Sequence, residues 1–212
     1  EAKKRFAEIS ARLSQLSSDF SNHVLDATQA YFKPLTEDQL KGLPQSSVDL
    51  LKQYGQQREL DQAVATLDIP SYLAIMTYAA DRALREELYK AYTTRASDQS
   101  EQTEFDNTQV MEEILSLRQE MAQLLDFNNY AELSLASKMA PDVATVDQFL
   151  VELAEHARVP AEREIAELKA IAQQDNILDL QPWDTGYYSE KLKVQQFNLS
   201  QESLKPYFPA PK

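Results

Sequence analysis

The chain has 212 residues, room for one large domain or two small ones, with 43% hydrophobic and 26% charged side chains and three glycines, Gly42, Gly55 and Gly186. Its 34 acidic against 21 basic side chains give a net charge of −13, which excludes a nucleic-acid binder that draws affinity from neutralising phosphates with Lys and Arg. With no cysteine there is no disulfide frame, thiol nucleophile or thiolate metal site, and the longest apolar run, Tyr72–Met76, is far short of the roughly 20 residues that span a bilayer.

Scarce glycine beside abundant Ala, Leu, Glu and Gln favours helix over sheet. The chain opens at Glu1-Ala2-Lys3-Lys4-Arg5-Phe6, already in helical rhythm and without a methionine. That opening is expected of a cut inside a longer protein. It has no signal-peptide pattern, and the cytoplasm is the expected compartment.

Phe6, Ile9, Leu13, Leu16, Phe20 and Val24 recur three or four apart and predict one long amphipathic helix to about Ala30, stopped by Pro34. Tyr31–Leu35 and Ala63–Leu67 read as a strand pair across a helical excursion, Ser46–Glu59. Pro70 and Ser71 open a short helix through Tyr78, and Asp81 caps another that ends near Thr94. The polar stretch Gln99–Phe105 reads as a loop. Asp106 with Gln109 resembles a capping box for a helix carrying Val110, Ile114, Leu117, Met121 and Leu124. A shorter helix follows over Asn129–Lys138. After Pro141, Val146, Phe149, Leu150 and Leu153 mark a long helix that Pro160 is expected to kink or split, with the rhythm resuming through Ile165, Leu168 and Ile171. Pro182 and Trp183 fall in an expected loop before a helix near Tyr187–Val194, and the tail holds Pro206-Tyr207-Phe208-Pro209.

Catalytic chemistry is hard to find in this pattern. Only two histidines occur, His23 and His156, and no His-Glu-x-x-His helix places two imidazoles one turn apart with a glutamate between them. Glu152 and His156 share a helical face as a possible ligand pair, with a solvent-facing ion pair as the plainer reading. His23 sits beside the apolar stripe and reads as a partly buried structural histidine. The pairs Glu86-Glu87 and Glu112-Glu113 diverge by about 100° and do not converge on one substrate atom. Trp183, Tyr187 and Tyr188 read as helix packing onto a core, or as a surface that touches peptides.

Seven stretches taken together are more specific. They are Lys4–Ile9, Leu67–Leu73, Leu84–Tyr89, Thr94–Asp98, Val110–Leu115, Ser134–Ala140, and Pro182-Trp183-Asp184 with Tyr187–Lys191. In this order they resemble the thimet-type oligopeptidases, a family of zinc metallopeptidases, and its bacterial members above all. The resemblance runs the length of the chain to Pro206–Pro209.

The resemblance implies a larger, nearly all-helical protein of two lobes around a channel. Zinc is held there by the two histidines of a His-Glu-x-x-His helix and a later glutamate, and its bound water attacks the peptide carbonyl. The substrates it implies are short peptides, including signal-peptide fragments. No family site residue falls within this chain, so no catalytic or metal-binding residue is expected in it and its substrate-contacting residues are unassigned. Zinc is expected in the parent and not here. The expected partners are short peptides and the carboxy-terminal part of the same protein, with no nucleic acid or membrane.

The expected fold is therefore mainly α, a multi-helix region over 1–212 with at most one small β-hairpin. It is expected to form part of one lobe, subdivided at the 99–105 loop into 1–98 and 106–212. The alternative is a stand-alone acidic helical scaffold.

Overall fold

A computed structural model describes residues 1–199 and Tyr207. Among them run eight α-helices and one antiparallel strand pair: α1 (Ala2–Ala30), β1 (Phe32–Pro34), α2 (Gln45–Gln56), β2 (Val64–Thr66), α3 (Ile69–Tyr78), α4 (Arg82–Thr94), α5 (Thr108–Leu124), α6 (Tyr130–Leu135), α7 (Val143–Gln174) and α8 (Pro182–Phe197). The mainly-α expectation and the single hairpin both hold. Of the aromatic tail, Pro206, Phe208 and Pro209 lie outside the described residues.

The hairpin pairs Phe32 with Thr66, Lys33 with Ala65 and Pro34 with Val64. The Leu35 N–H extends the ladder to the Ala63 carbonyl at 2.8 Å. Pro34 lacks an N–H, and it stands between the bonded pairs at Lys33 and Leu35, where the ladder needs no donor from it. Asp81 caps α4 as expected, its Oδ1 accepting from the N–H groups of Ala83 and Leu84 at 2.9 and 3.2 Å.

The chain packs as two compact units, each discontinuous in sequence. The first combines Glu1–Ala27 with Arg95–Glu162; the second combines Thr28–Thr94 with the chain from Arg163 onward. The second unit holds two apolar clusters. Leu35, Leu51, Ala63, Ala65, Ile75, Ala79, Leu84 and Leu88 form one, gathered from the hairpin and α2–α4. Leu168, Ile171, Ala172 and Tyr188 form the other, where α7 meets α8. Each fully buried Leu or Ile contributes roughly 1.5–3 kcal/mol.

The first unit buries less: Ile9, Leu16 and Ala27 of α1, Ala96, and Met121 and Ala122 of α5. Exposed charge pairs tie its helices together. Arg5 holds Glu120 through two hydrogen bonds of 2.6 and 2.7 Å, and Arg12 holds Glu113 in the same way.

Four local expectations are corrected. Asp106 does not form a capping box with Gln109; its Oδ1 accepts from the N–H and hydroxyl of Thr108 at 2.9 and 2.7 Å. The residue at the cap itself, Asn107, is fully buried and turned to α1, its Nδ2 donating to the Phe20 carbonyl at 3.2 Å. A tertiary contact has claimed the side chain that a local cap would use. Of the kink or split expected at Pro160, the split does not occur, and α7 runs from Val143 to Gln174. Residues 151–167 are all exposed, so the His156 carbonyl that Pro160 cannot bond is open to water.

The third correction concerns α8, which begins at Pro182 rather than near Tyr187. Proline's fixed φ and missing N–H suit the first helical position, where that N–H would have no partner. Finally, α6 ends at Leu135, before Lys138.

Candidate functional site

The start of α8 organises the second unit. The Gln181 N–H donates to Asp184 Oδ2 at 3.0 Å, and Gln181 and Asp184 together form a capping box. Asp184 is fully buried and takes two further partners from α4. Arg82 donates Nη2 to Oδ2 at 2.8 Å, and Arg85 donates Nη2 to Oδ1 at 2.9 Å. Arg85 is itself 1% exposed. Its remaining donors go to the carbonyls of Ala79 (2.6 Å) and Trp183 (3.1 Å), and its guanidinium lies 4.2 Å from the centre of the Tyr187 ring.

Burial alone would raise the Asp184 carboxyl. Hydrogen bonds from Arg82, the Gln181 N–H and Arg85 outweigh it and hold the group below the usual carboxylate range.

This clamp seats α8 against α3. At the crossing, a Cβ on Gly186 would lie 3.2 Å from the Met76 carbonyl oxygen, so glycine permits the approach. Beyond the crossing opens a groove of about 480 Å³ between Tyr187, Glu190, Lys191 and Val194 of α8, the end of α3 at Thr77 and Tyr78, and the turn at Gly42–Pro44. Lys191 donates to Asp175 Oδ2 at 2.6 Å, and the Tyr188 hydroxyl donates to the same oxygen at 3.2 Å. The Lys191 bond holds the Asp175 carboxyl low, whereas burial, with Asp175 adding to it, pushes the Tyr188 hydroxyl up to about 12. Glu190 pairs with Lys193, and its Oε1 is buried without a partner among the described residues. Apolar walls with charge at the rim give this groove the chemistry of recognition.

A second groove, of about 420 Å³, lies in the first unit. Ser17, Phe20 and Ser21 of α1 face Met111, Ile114, Leu115 and Arg118 of α5 across it.

The residues singled out from the sequence fall as follows. Tyr188 is core, packed on α7, and Tyr187 is partly buried beside it. Trp183 sits 5.8 Å from the Tyr89 ring, with Lys90 Nζ 5.6 Å from its own. His23 is half-buried, and its Nδ1 meets Asn107 Oδ1 at 2.8 Å. Because the Asn107 amide nitrogen already donates to Phe20, the imidazole must donate here. His156 and Glu152 do not pair through their side chains. The His156 Nδ1 meets the Glu152 backbone carbonyl at 2.6 Å, and the Glu152 carboxylate accepts from Gln148.

The adjacent carboxylates go to different partners. Glu86 bonds Lys90, Glu87 bonds Lys33, and Glu113 bonds Arg12. No group of three or more His, Cys, Asp or Glu side chains among the described residues is arranged to hold a metal ion.

Sequence reasoning missed the Arg82–Asp184–Arg85 cluster. A signal existed locally: Gln181-Pro182-Trp183-Asp184 has a proline at the first helical position and an acid two residues later. The arginine partners lie 102 and 99 residues away, beyond any local pattern.

A helical chain with these clamps matches one known group along most of its length. Residues 75–212 fit the model of Peptidase family M3. The chain belongs to that family. It is 50% identical to Oligopeptidase A of Escherichia coli (strain K12), over 99% of this chain and 31% of that protein. It is 39% identical to the Probable cytosolic oligopeptidase A of Arabidopsis thaliana, over all of this chain and 31% of that protein. Saccharolysin of Saccharomyces cerevisiae is 26% identical, over 97% of this chain and 29% of its own length. The chain thus spans about a third of the relatives it matches. No helix among the described residues is long and apolar enough to cross a membrane.

Proposed function

We propose that this chain is part of a zinc metalloendopeptidase that cleaves internal bonds of short peptides, signal-peptide fragments among them, and that it walls the substrate channel without itself carrying the catalytic centre. The observation that carries this reading is family membership with 50% identity to an oligopeptidase across 99% of the chain. The residues present do not fit zinc. His23 is engaged by Asn107, His156 lies against its own helix, and neither belongs to a group of three metal-binding side chains among the described residues. Zinc chemistry in this reading belongs to the part of the longer protein outside these 212 residues, and no catalytic step runs through this chain's side chains.

In the same reading the partners are short peptides and the carboxy-terminal part of the same polypeptide, with the cytoplasm as the working compartment and neither nucleic acid nor membrane involved. The open grooves beside α8 and between α1 and α5 support a wall function, since each presents apolar lining with charge at its edge.

The test is cleavage of a quenched-fluorescent peptide by the full-length protein, with and without a chelator. The full-length protein is expected to cleave it and to lose activity with the metal, while the 212-residue chain neither cleaves nor retains stoichiometric zinc after dialysis. Chelator-sensitive cleavage by the short chain overturns the non-catalytic reading. Inactivity of the metal-loaded full-length protein toward a range of short peptides overturns the peptidase reading.

A further inference from the structure

The longest helix carries an apolar face with nothing against it. In α7, Phe149, Leu150 and Leu153 are 59%, 55% and 51% exposed, although their spacing is that of a core-facing stripe. Leu150 and Leu168 are 18 residues apart, as are Leu153 and Ile171. Eighteen residues make five turns of about 3.6 residues, so each pair holds the same phase of the apolar pattern along the sequence. In the second unit Leu168 and Ile171 are core, packed with Ala172 and Tyr188. At the Leu150–Leu153 end the same pattern meets solvent. A contiguous apolar patch rimmed by charge marks an interaction surface.

The charge selects the occupant. Along α7 stand six acidic and three basic side chains, and the whole chain carries −13. A second copy would therefore set like charges against each other. A cover belonging to the same polypeptide is already tethered at high effective concentration. The relatives have that length to spare, since about two-thirds of each lies outside the matched region.

We propose that the Phe149–Leu150–Leu153 face of α7 is the docking surface for an apolar segment of the same polypeptide outside these 212 residues. This rests on the reading of the chain as one part of a longer peptidase.

The chain contains no cysteine, so a single substitution introduces the only thiol within it. In the full-length protein, Leu150→Cys, Leu153→Cys and Glu155→Cys are each reacted with a maleimide. The modified peptide is quantified by mass spectrometry, which separates this thiol from any elsewhere. Glu155 lies about 180° around the helix from the Leu150–Leu153 face and reports the open side. The expected result is labelling at least about tenfold slower for Leu150→Cys and Leu153→Cys than for Glu155→Cys, as local opening limits access to a buried thiol.

Equal rates at the three positions overturn the proposal, and so does protection that disappears on dilution, which would mean a second copy covers the face. The reading beneath it fails separately. A full-length protein that shields the Leu150→Cys thiol but cleaves no peptide sinks the peptidase assignment alone. One that cleaves peptide with that thiol open sinks the docking surface alone.

Discussion

The two units solve the same problem with different forces. The second unit joins its distant chain segments through buried apolar clusters and a buried carboxylate held between two arginines. The first joins its segments through a few buried apolar side chains, exposed Arg–Glu pairs and one buried asparagine, and leaves Phe20, Met111, Leu115, Phe149, Leu150 and Leu153 facing solvent. Burial of apolar area is insensitive to salt and strongly stabilising. Exposed ion pairs are weak and screened. The second unit therefore has the larger core, whereas the first leans more on exposed ion pairs.

The largest expected effect that tests this contrast is at Asp184. Asp184→Ala leaves the buried Arg85 guanidinium without its counter-charge and should cost about 3–5 kcal/mol of stability. Urea unfolding followed by the fluorescence of Trp183, the only tryptophan and a residue of the second unit, measures it. A loss below about 1 kcal/mol would mean that the buried cluster behaves like a surface pair and the contrast fails.

Asp184 also gives the second unit a pH dependence. Its carboxyl is lowered in the folded state, so its contribution is present above the ordinary carboxylate pKa and is lost as pH falls through the lower folded value. The acid limb of the Trp183 unfolding curve should flatten in Asp184→Asn.

Gly55→Ala comes next. A Cβ there would overlap the Gln62 carbonyl oxygen, where the chain turns back over the end of α2. Moving that turn should cost about 1–3 kcal/mol, read by the same unfolding curve. Wild-type stability would show that the turn yields freely and that the second unit is less tightly built than its burial indicates.

The smallest effects belong to the first unit. Arg12→Gln or Arg5→Gln removes an exposed bidentate pair, and each should loosen α1 against α5 only slightly, in a way that disappears at high salt. Hydrogen exchange in α5 at low and high ionic strength reads this out. A large, salt-independent loss of protection would show that these pairs do structural work comparable to the buried cluster.

Much of the fold was legible because its signals are local. The stripe from Phe6 to Val24 predicts α1, the Asp81 cap predicts α4, and the two short strands were found around the helical excursion. The misreadings all involve residues whose role depends on context. Pro182 was read as a loop residue although it begins α8, Pro160 as a kink or split although α7 continues through it, and Asp106 as a capping-box residue although Asn107 at the cap serves α1.

In the candidate site, the aromatic residues Trp183, Tyr187 and Tyr188 were visible as a cluster in sequence. The Arg82–Asp184–Arg85 clamp was not, because its members are about a hundred residues apart and each looks alone like an ordinary surface charge.

The sequence by itself determined helix positions, the hairpin segments and family membership, because periodicity, caps and ordered short stretches are written along the chain. Only the tertiary structure decided which apolar stripes are core and which are open. Leu150 and Leu168 hold the same phase of one apolar pattern along the sequence, yet Leu168 is buried against Tyr188 and Leu150 meets solvent. Burial is a property of what lies across from a residue, and the residue's own neighbours in sequence do not encode it.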